Sequence, residues 1–206
     1  MRGPDSSGEF VVALCGPSGV GKGYVKKRAI DVLGDVPLSE PVVATTREPR
    51  KDDGPDREAG IDAASFFTRV DDGDIVLPHR PFRDTNSPLY GFTRESLDAP
   101  YLLTEVHSTV LGEFHALFPS RPRMVMGFVA DESTLAASIR DRQGDTSDGA
   151  GIELRLACAS AEIAEIERGY EEGHVDRLYD CTKLGRAAVQ ELAITEMVSF
   201  VRAQHV

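Results

Sequence analysis

Seven residues carry the clearest chemistry in the chain: Gly16-Pro17-Ser18-Gly19-Val20-Gly21-Lys22. Gly16, Gly21 and Lys22 satisfy the spacing GxxxxGK, in which glycines let consecutive backbone N–H groups turn toward the oxygens of a phosphate. The lysine then reaches the terminal phosphates of a bound nucleoside triphosphate, and a following helix adds its positive end. Position 23 is glycine, where this pattern has Ser or Thr to hold Mg²⁺ through a hydroxyl. The ion is then expected to be held by nucleotide phosphates and water, with no protein metal ligand assigned.

Arginines are the second informative class. With 23 basic and 34 acidic residues the formal charge is −11, a field that repels nucleic acid over most of the surface. A phosphate-bearing ligand therefore needs a local basic island. The placement of arginines is therefore informative: Arg47 and Arg50 stand in the string Thr45-Thr46-Arg47-Glu48-Pro49-Arg50, and Arg140, Arg142 and Arg155 further along. Guanidinium forks grip phosphate oxygens bidentately.

The elements that must position these groups are legible around them. Glu9 to Cys15 is a continuous apolar, β-branched run that predicts a strand buried on both faces. Tyr24 to Leu33 has helical spacing, with Val25, Ala29 and Val32 inward, and Gly34 as a stop. Further strands are expected at Pro41 to Thr46, Tyr101 to Val106, Met124 to Val129 and His174 to Cys181. Helices are expected at Asp131 to Asp141, Ile152 to Gly169 and Arg186 to Gln204. Arg47 to Gly60 reads as a loop, Ala63 to Val70 and Ile75 to Leu77 as short apolar pieces, and Gln143 to Gly151 as a mobile loop. Alternation of buried strands with helices predicts an α/β fold with a parallel sheet. Residues 1–8 read as a disordered lead-in, with no apolar stretch of signal-peptide or membrane-spanning length. Three dispersed cysteines, Cys15, Cys158 and Cys181, read as free buried thiols of a reducing cytoplasm.

The phosphate loop, the Thr-Thr-Arg-x-Pro-Arg string, Gly60-Ile61-Asp62 leading to Phe66, Tyr90-Gly91, and Arg155-Leu156 opening a long helix together resemble the guanylate kinase family. The resemblance implies a P-loop kinase fold: a parallel core sheet flanked by helices, an acceptor-binding subdomain near 40–100 and a lid near 140–155. It implies ATP and Mg²⁺ as cofactors, with Gly16 and Ser18 through Tyr24 on the donor nucleotide. Arg47, Arg50 and Tyr90 match the grip on the acceptor phosphate, and Glu105 an acidic position near acceptor or metal-bound water. Arg142 and Arg155 match arginines that close on the transferring group with Lys22. The family's three polar guanine readers fall on Val43, Leu77 and Phe92, all apolar, so strong guanine preference is not expected. Gly23 and Phe66-Phe67-Thr68-Arg69 also resemble the ribose 1,5-bisphosphokinases, which share the scaffold. The expectation is a cytoplasmic phosphotransferase, monomeric or homodimeric, acting on a small phosphorylated acceptor without nucleic acid or membrane partners. The acceptor is a nucleoside monophosphate or a sugar phosphate. A non-catalytic binding module of the same family is the third alternative.

Overall fold

The computed structural model describes residues 8–51, 53–81, 87–143 and 149–205, with the side chains of 141–143, 149–152 and 154 left aside. The lead-in at 1–7 and the centre of the segment expected to be mobile lie outside them.

The first strand, β1 (Phe10–Cys15), is buried throughout because alternate side chains enter two different cores. Phe10, Val12 and Leu14 join one apolar cluster, and Val11, Ala13 and Cys15 the other. At about 1.5–3 kcal/mol per large apolar side chain, a strand used on both faces has one favoured place, the centre of a sheet. It sits there: β6 (Tyr101–Glu105), β1, β7 (Arg123–Val129) and β8 (Arg177–Asp180) form a parallel sheet in the order β6-β1-β7-β8. On one side α1 (Lys22–Val32) packs with α7 (Arg186–Gln204) through Val25, Ala29, Val189, Ala193 and Met197. Val32, expected inward, is 42% exposed, since the helix turns its last residue away from α7. On the other side lie α3 (Leu111–Leu117) and the long α5 (Gly149–Glu171), the latter preceded by α4 (Glu132–Gln143).

The remaining strands build a separate sheet. Its order is β3-β2-β5-β4, from β2 (Val43–Thr45), β3 (Arg57–Glu58), β4 (Ile75–His79) and β5 (Tyr90–Thr93). The β2–β5 and β4–β5 pairings are antiparallel. The apolar piece at Ala63 is a helix, α2 (Ala63–Asp71), capped by the Asp62 carboxylate accepting from Ser65 N–H at 2.9 Å. It buries Phe66 against Ala44, Ile75 and Leu89, the small core of this second unit. The loop expected at 47–60 is therefore interrupted by β3. Short α6 (Cys181–Leu184) leads from β8 toward α7. Among the described residues no helix is long and apolar enough to cross a membrane.

One backbone feature bears on the site. β4 is an edge strand, where Pro78 is tolerated without a ladder N–H. Leu77, just before it, has φ 54°, the only non-glycine residue at positive φ among those described. Such a conformation costs roughly 1–2 kcal/mol for an L-residue. The β4–β5 register shifts between Val76 and His79 at this point, so strict alternation of faces fails there.

Candidate active site

Parallel strands place their loops at one edge, and the candidate site lies beyond the carboxyl ends of β1 and β6. The chain leaves β1 through a loop that tolerates no side chains at its first and last glycines. A Cβ on Gly16 would lie 2.8 Å from the Phe128 carbonyl oxygen, and one on Gly21, at φ 105°, 2.4 Å from Gln190 Nε2. Lys22 opens α1, and its ammonium donates to Gly16 O at 2.5 Å and Pro17 O at 3.4 Å. The register Leu14↔Glu105 brings the end of β6 alongside, with Glu105 Oε2 3.7 Å from Lys22 Nζ. Gly23 differs from the other loop glycines: a Cβ there meets only Glu105 Oε1, at 3.9 Å. Val20 is in the core, so only its backbone can serve a ligand, and Tyr24 is 45% exposed.

Helix α5 supplies the opposite wall. Arg155, Cys158 and Glu162 stand at i, i+3 and i+7, one helical face, and all three line a cavity of about 470 Å³ with Ser18, Lys22 and Gly23. Arg155 Nη1 lies 3.5 Å from Ser18 Oγ. Burial pushes the Glu162 carboxyl above its usual range against the pull of Lys22, and Glu165 and Glu105 push the same way. Cys15, beneath the loop, is held by burial at about 12, an inert thiol. Cys15 and Cys181 are buried free thiols as expected, whereas Cys158 is half-buried.

The second sheet carries the Thr-Thr-Arg string to the same space. Thr45 Oγ1 donates to Leu89 O at 2.7 Å, and Leu89 N–H donates to Thr46 Oγ1 at 2.9 Å. Those two bonds fix Arg47 beside Tyr90, which pairs with Thr45 across β2–β5. Arg47 Nη1 donates to Glu48 O at 2.7 Å and Nη2 to Asp53 Oδ1 at 2.5 Å. Burial opposes the Arg47 charge, but the bonds to Asp53 and Tyr90 raise its pKa on balance. Asp53 Oδ2 also accepts from Arg50 N–H at 2.7 Å, so one carboxylate ties both arginines of the string. That clamp is invisible in the sequence. Arg47, Arg50 and Tyr90 share a cavity of about 310 Å³, and Arg50 and Tyr90 also line the large cavity containing Lys22.

A third cavity, about 230 Å³, is bounded by Val43, Phe92, Tyr90, His79 and Glu105. Val43 and Phe92 line it. Leu77 does not: at 5% exposure it packs in the main core with Val76 and Phe92, because its left-handed backbone turns the side chain inward. His79 occupies the wall instead. It stacks on Tyr90 (centroids 6.0 Å apart, 22° between planes) and on His107 (5.1 Å, 21°). Neither histidine was singled out by the sequence, and neither was Glu162. The i+7 spacing from Arg155 is the one signal that could have pointed to Glu162. The structure thus gathers Lys22, Glu105, Arg155, Arg50 and Tyr90 around one space, with Arg47 adjoining. Arg140 is exposed and lines none of these cavities, and the Arg142 side chain lies outside the described residues.

Among the described residues no three His, Cys, Asp or Glu side chains form a metal-binding group. The hard carboxylate oxygens of Glu105 beside the lysine suit a phosphate-borne Mg²⁺, whose chemistry is to neutralise developing charge on phosphate oxygens.

The comparisons agree with this geometry. No protein-family profile matches the chain. A guanylate kinase of Synechococcus sp. (strain CC9902) is 32% identical over 164 residues, 74% of this chain and 80% of that protein. The guanylate kinase from Anaplasma phagocytophilum has a similar fold, with a TM-score of 0.64 at 17% identity over 97% of this chain and 88% of its own. A gluconokinase from Sinorhizobium meliloti 1021 has a TM-score of 0.49 at 12% identity, covering 97% and 99%, too distant to bear on function. A P-loop phosphotransferase scaffold, a GxxxxGK phosphate loop and that identity over most of both chains lead to one assignment: the chain belongs to the guanylate kinase family.

Proposed function

We propose that the chain transfers the γ-phosphoryl group of ATP to the phosphate of a small acceptor, a nucleoside monophosphate whose base is not selected as guanine. The observation that carries this reading is the meeting of donor and acceptor groups: Lys22 of the phosphate loop and Arg50 and Tyr90 of the second sheet line one cavity. Lys22 and Arg155 neutralise charge on the transferring group, and in-line transfer needs positioning and charge rather than a covalent intermediate. Arg47 and Arg50, tied by Asp53, hold the acceptor phosphate. Residues 40–100 act as the acceptor-binding subdomain and 140–155, with Arg142, as the lid. ATP brings Mg²⁺, with Glu105 the nearest carboxylate to position 23. The enzyme works in the cytoplasm, as monomer or homodimer.

Weak guanine reading follows from the wall of the smaller cavity, where Val43 and Phe92 offer no hydrogen bonds and Leu77 is turned away. Gly23 and the Phe66-Phe67-Thr68-Arg69 string, both resembling the ribose 1,5-bisphosphokinases, support a second reading, a sugar phosphate acceptor such as ribose 1,5-bisphosphate. Retained Lys22 speaks against a non-catalytic module. The test is a panel of GMP, dGMP, AMP, CMP, UMP, dTMP and ribose 1,5-bisphosphate with ATP and Mg²⁺, following ADP and phosphorylated product. Acceptor-dependent ADP with at least one member is expected. None, from folded protein, would sink the kinase reading, and preferred turnover of GMP would refute the argument on base preference.

A further inference from the structure

His79 lies outside every motif that identifies the family, yet a backbone contact and two stacked rings hold its side chain in the acceptor cavity. Its Nδ1 is 2.9 Å from the Leu77 carbonyl oxygen. A carbonyl only accepts, so Nδ1 carries the proton and Nε2 presents a lone pair. The ring stacks against Tyr90 and against His107, and no described residue donates to Nε2. Burial and the neighbouring His107 hold the imidazole near pKa 4, against the Leu77 carbonyl's opposing effect, so the ring is neutral at physiological pH. The backbone strain at Leu77 creates both halves of this arrangement: it aims the carbonyl at the ring, and it moves His79 rather than Leu77 to the cavity wall. Strain of this kind persists where surrounding structure enforces it, and it clusters at ligand sites.

We propose that His79 is the specificity-determining residue of the acceptor site, its Nε2 accepting a hydrogen bond from an N–H or O–H group on the non-phosphate part of the acceptor. The assignment rests on the kinase reading above and deepens it. A neutral imidazole offers one acceptor and no charge. It suits an acceptor that presents a single amino or hydroxyl donor there, and it disfavours one that presents a second anion. Tyr90, which faces both His79 and the phosphate grip, sets the distance between that donor and the acceptor phosphate.

Two variants test this in the acceptor panel. His79→Phe keeps a flat ring against Tyr90 and His107 and removes Nε2. With the best wild-type acceptor it should raise KM about tenfold, the effect of one lost hydrogen bond, with a smaller change in kcat. Its effect on acceptors without a suitably placed donor should be slight, so preference within the panel flattens. His79→Gln, whose amide oxygen can accept in place of Nε2, should restore most of the preference. Nitrogen NMR of ring-labelled protein supplies a readout independent of turnover. The free protein should show the Nδ1–H tautomer, and the best acceptor should shift Nε2 while Nδ1 stays protonated. An Nε2–H tautomer in the free protein overturns the proposal, as does wild-type turnover with His79→Phe preserving both KM and preference. Failure of the wild type with every acceptor removes the kinase reading itself, and this proposal with it.

Discussion

Position 23 separates this loop from the GxxxxGK[ST] pattern, and the structure shows what filling it would do. Gly23 is the second residue of α1. Its φ is not in the left-handed region, and an added Cβ would make one contact of ordinary van der Waals length, 3.9 Å to Glu105 Oε1. Gly23→Ala therefore fits without strain. It should stabilise the protein by about 0.4–1 kcal/mol, chiefly by restricting the unfolded chain. For a chain of this length that corresponds to a rise in Tm of about 1–4 °C, read by calorimetry without nucleotide. Gly23→Ser adds a hydroxyl where the motif has one. If that oxygen joins Mg²⁺ on the nucleotide and tightens binding tenfold, MgATP should stabilise the serine variant by about 1.4 kcal/mol more than the alanine variant. The extra shift is about 3–6 °C. A Tm below wild type for Gly23→Ala would refute the view of this site as open. Equal MgATP shifts in the two variants would refute the metal geometry inferred from the loop.

Three further outcomes follow from the same geometry. Lys22→Ala should lower turnover by at least about a hundredfold in an ADP-release assay, and a near-normal rate would remove the premise of the phosphate loop. Arg47→Ala deletes a guanidinium whose charged hydrogen bonds are worth about 1.5–3 kcal/mol each, so acceptor KM should rise about a hundredfold while ATP binding, measured by titration calorimetry, persists. For Glu162 the folded pKa is raised, chiefly by burial. The folded state then keeps a proton that the unfolded state releases, and stability declines as pH climbs through the interval between the two pKa values. Glu162→Gln should remove that decline and raise Tm at neutral pH; parallel Tm–pH curves for variant and wild type would contradict it.

What could be read in advance was local. The buried run before Gly16, the glycines and the helix after Lys22 lie within about two dozen residues, and each piece specifies its neighbour. Strands β6, β7 and β8 and helices α4, α5 and α7 followed from periodicity in the same way. Strand β2 was expected, but its place in a second sheet was not, because its partner β3 has only two residues, too few to show alternation. Leu77 was assigned to the site by matching it to a guanine-reading position of the family, and such matching fails where one residue adopts a left-handed conformation before a proline. His79 and His107 meet across 28 positions, and Glu162 reaches Lys22's surroundings from 140 positions away. Such encounters are products of topology, and no window of sequence contains them.

The contact that sets the protonation of His79 comes from main chain, not from a side chain. A carboxylate or amide partner could be lost through one codon change, releasing the imidazole to flip its tautomer. The Leu77 carbonyl remains whatever residue is encoded at 77, provided the turn before Pro78 survives. Glycine or asparagine there would even ease the backbone. Drift in the surrounding sequence can therefore alter the size and polarity of the cavity while the direction of the His79 hydrogen bond stays the same. The sense of acceptor recognition then rests on the irregularity in β4 rather than on any one encoded side chain.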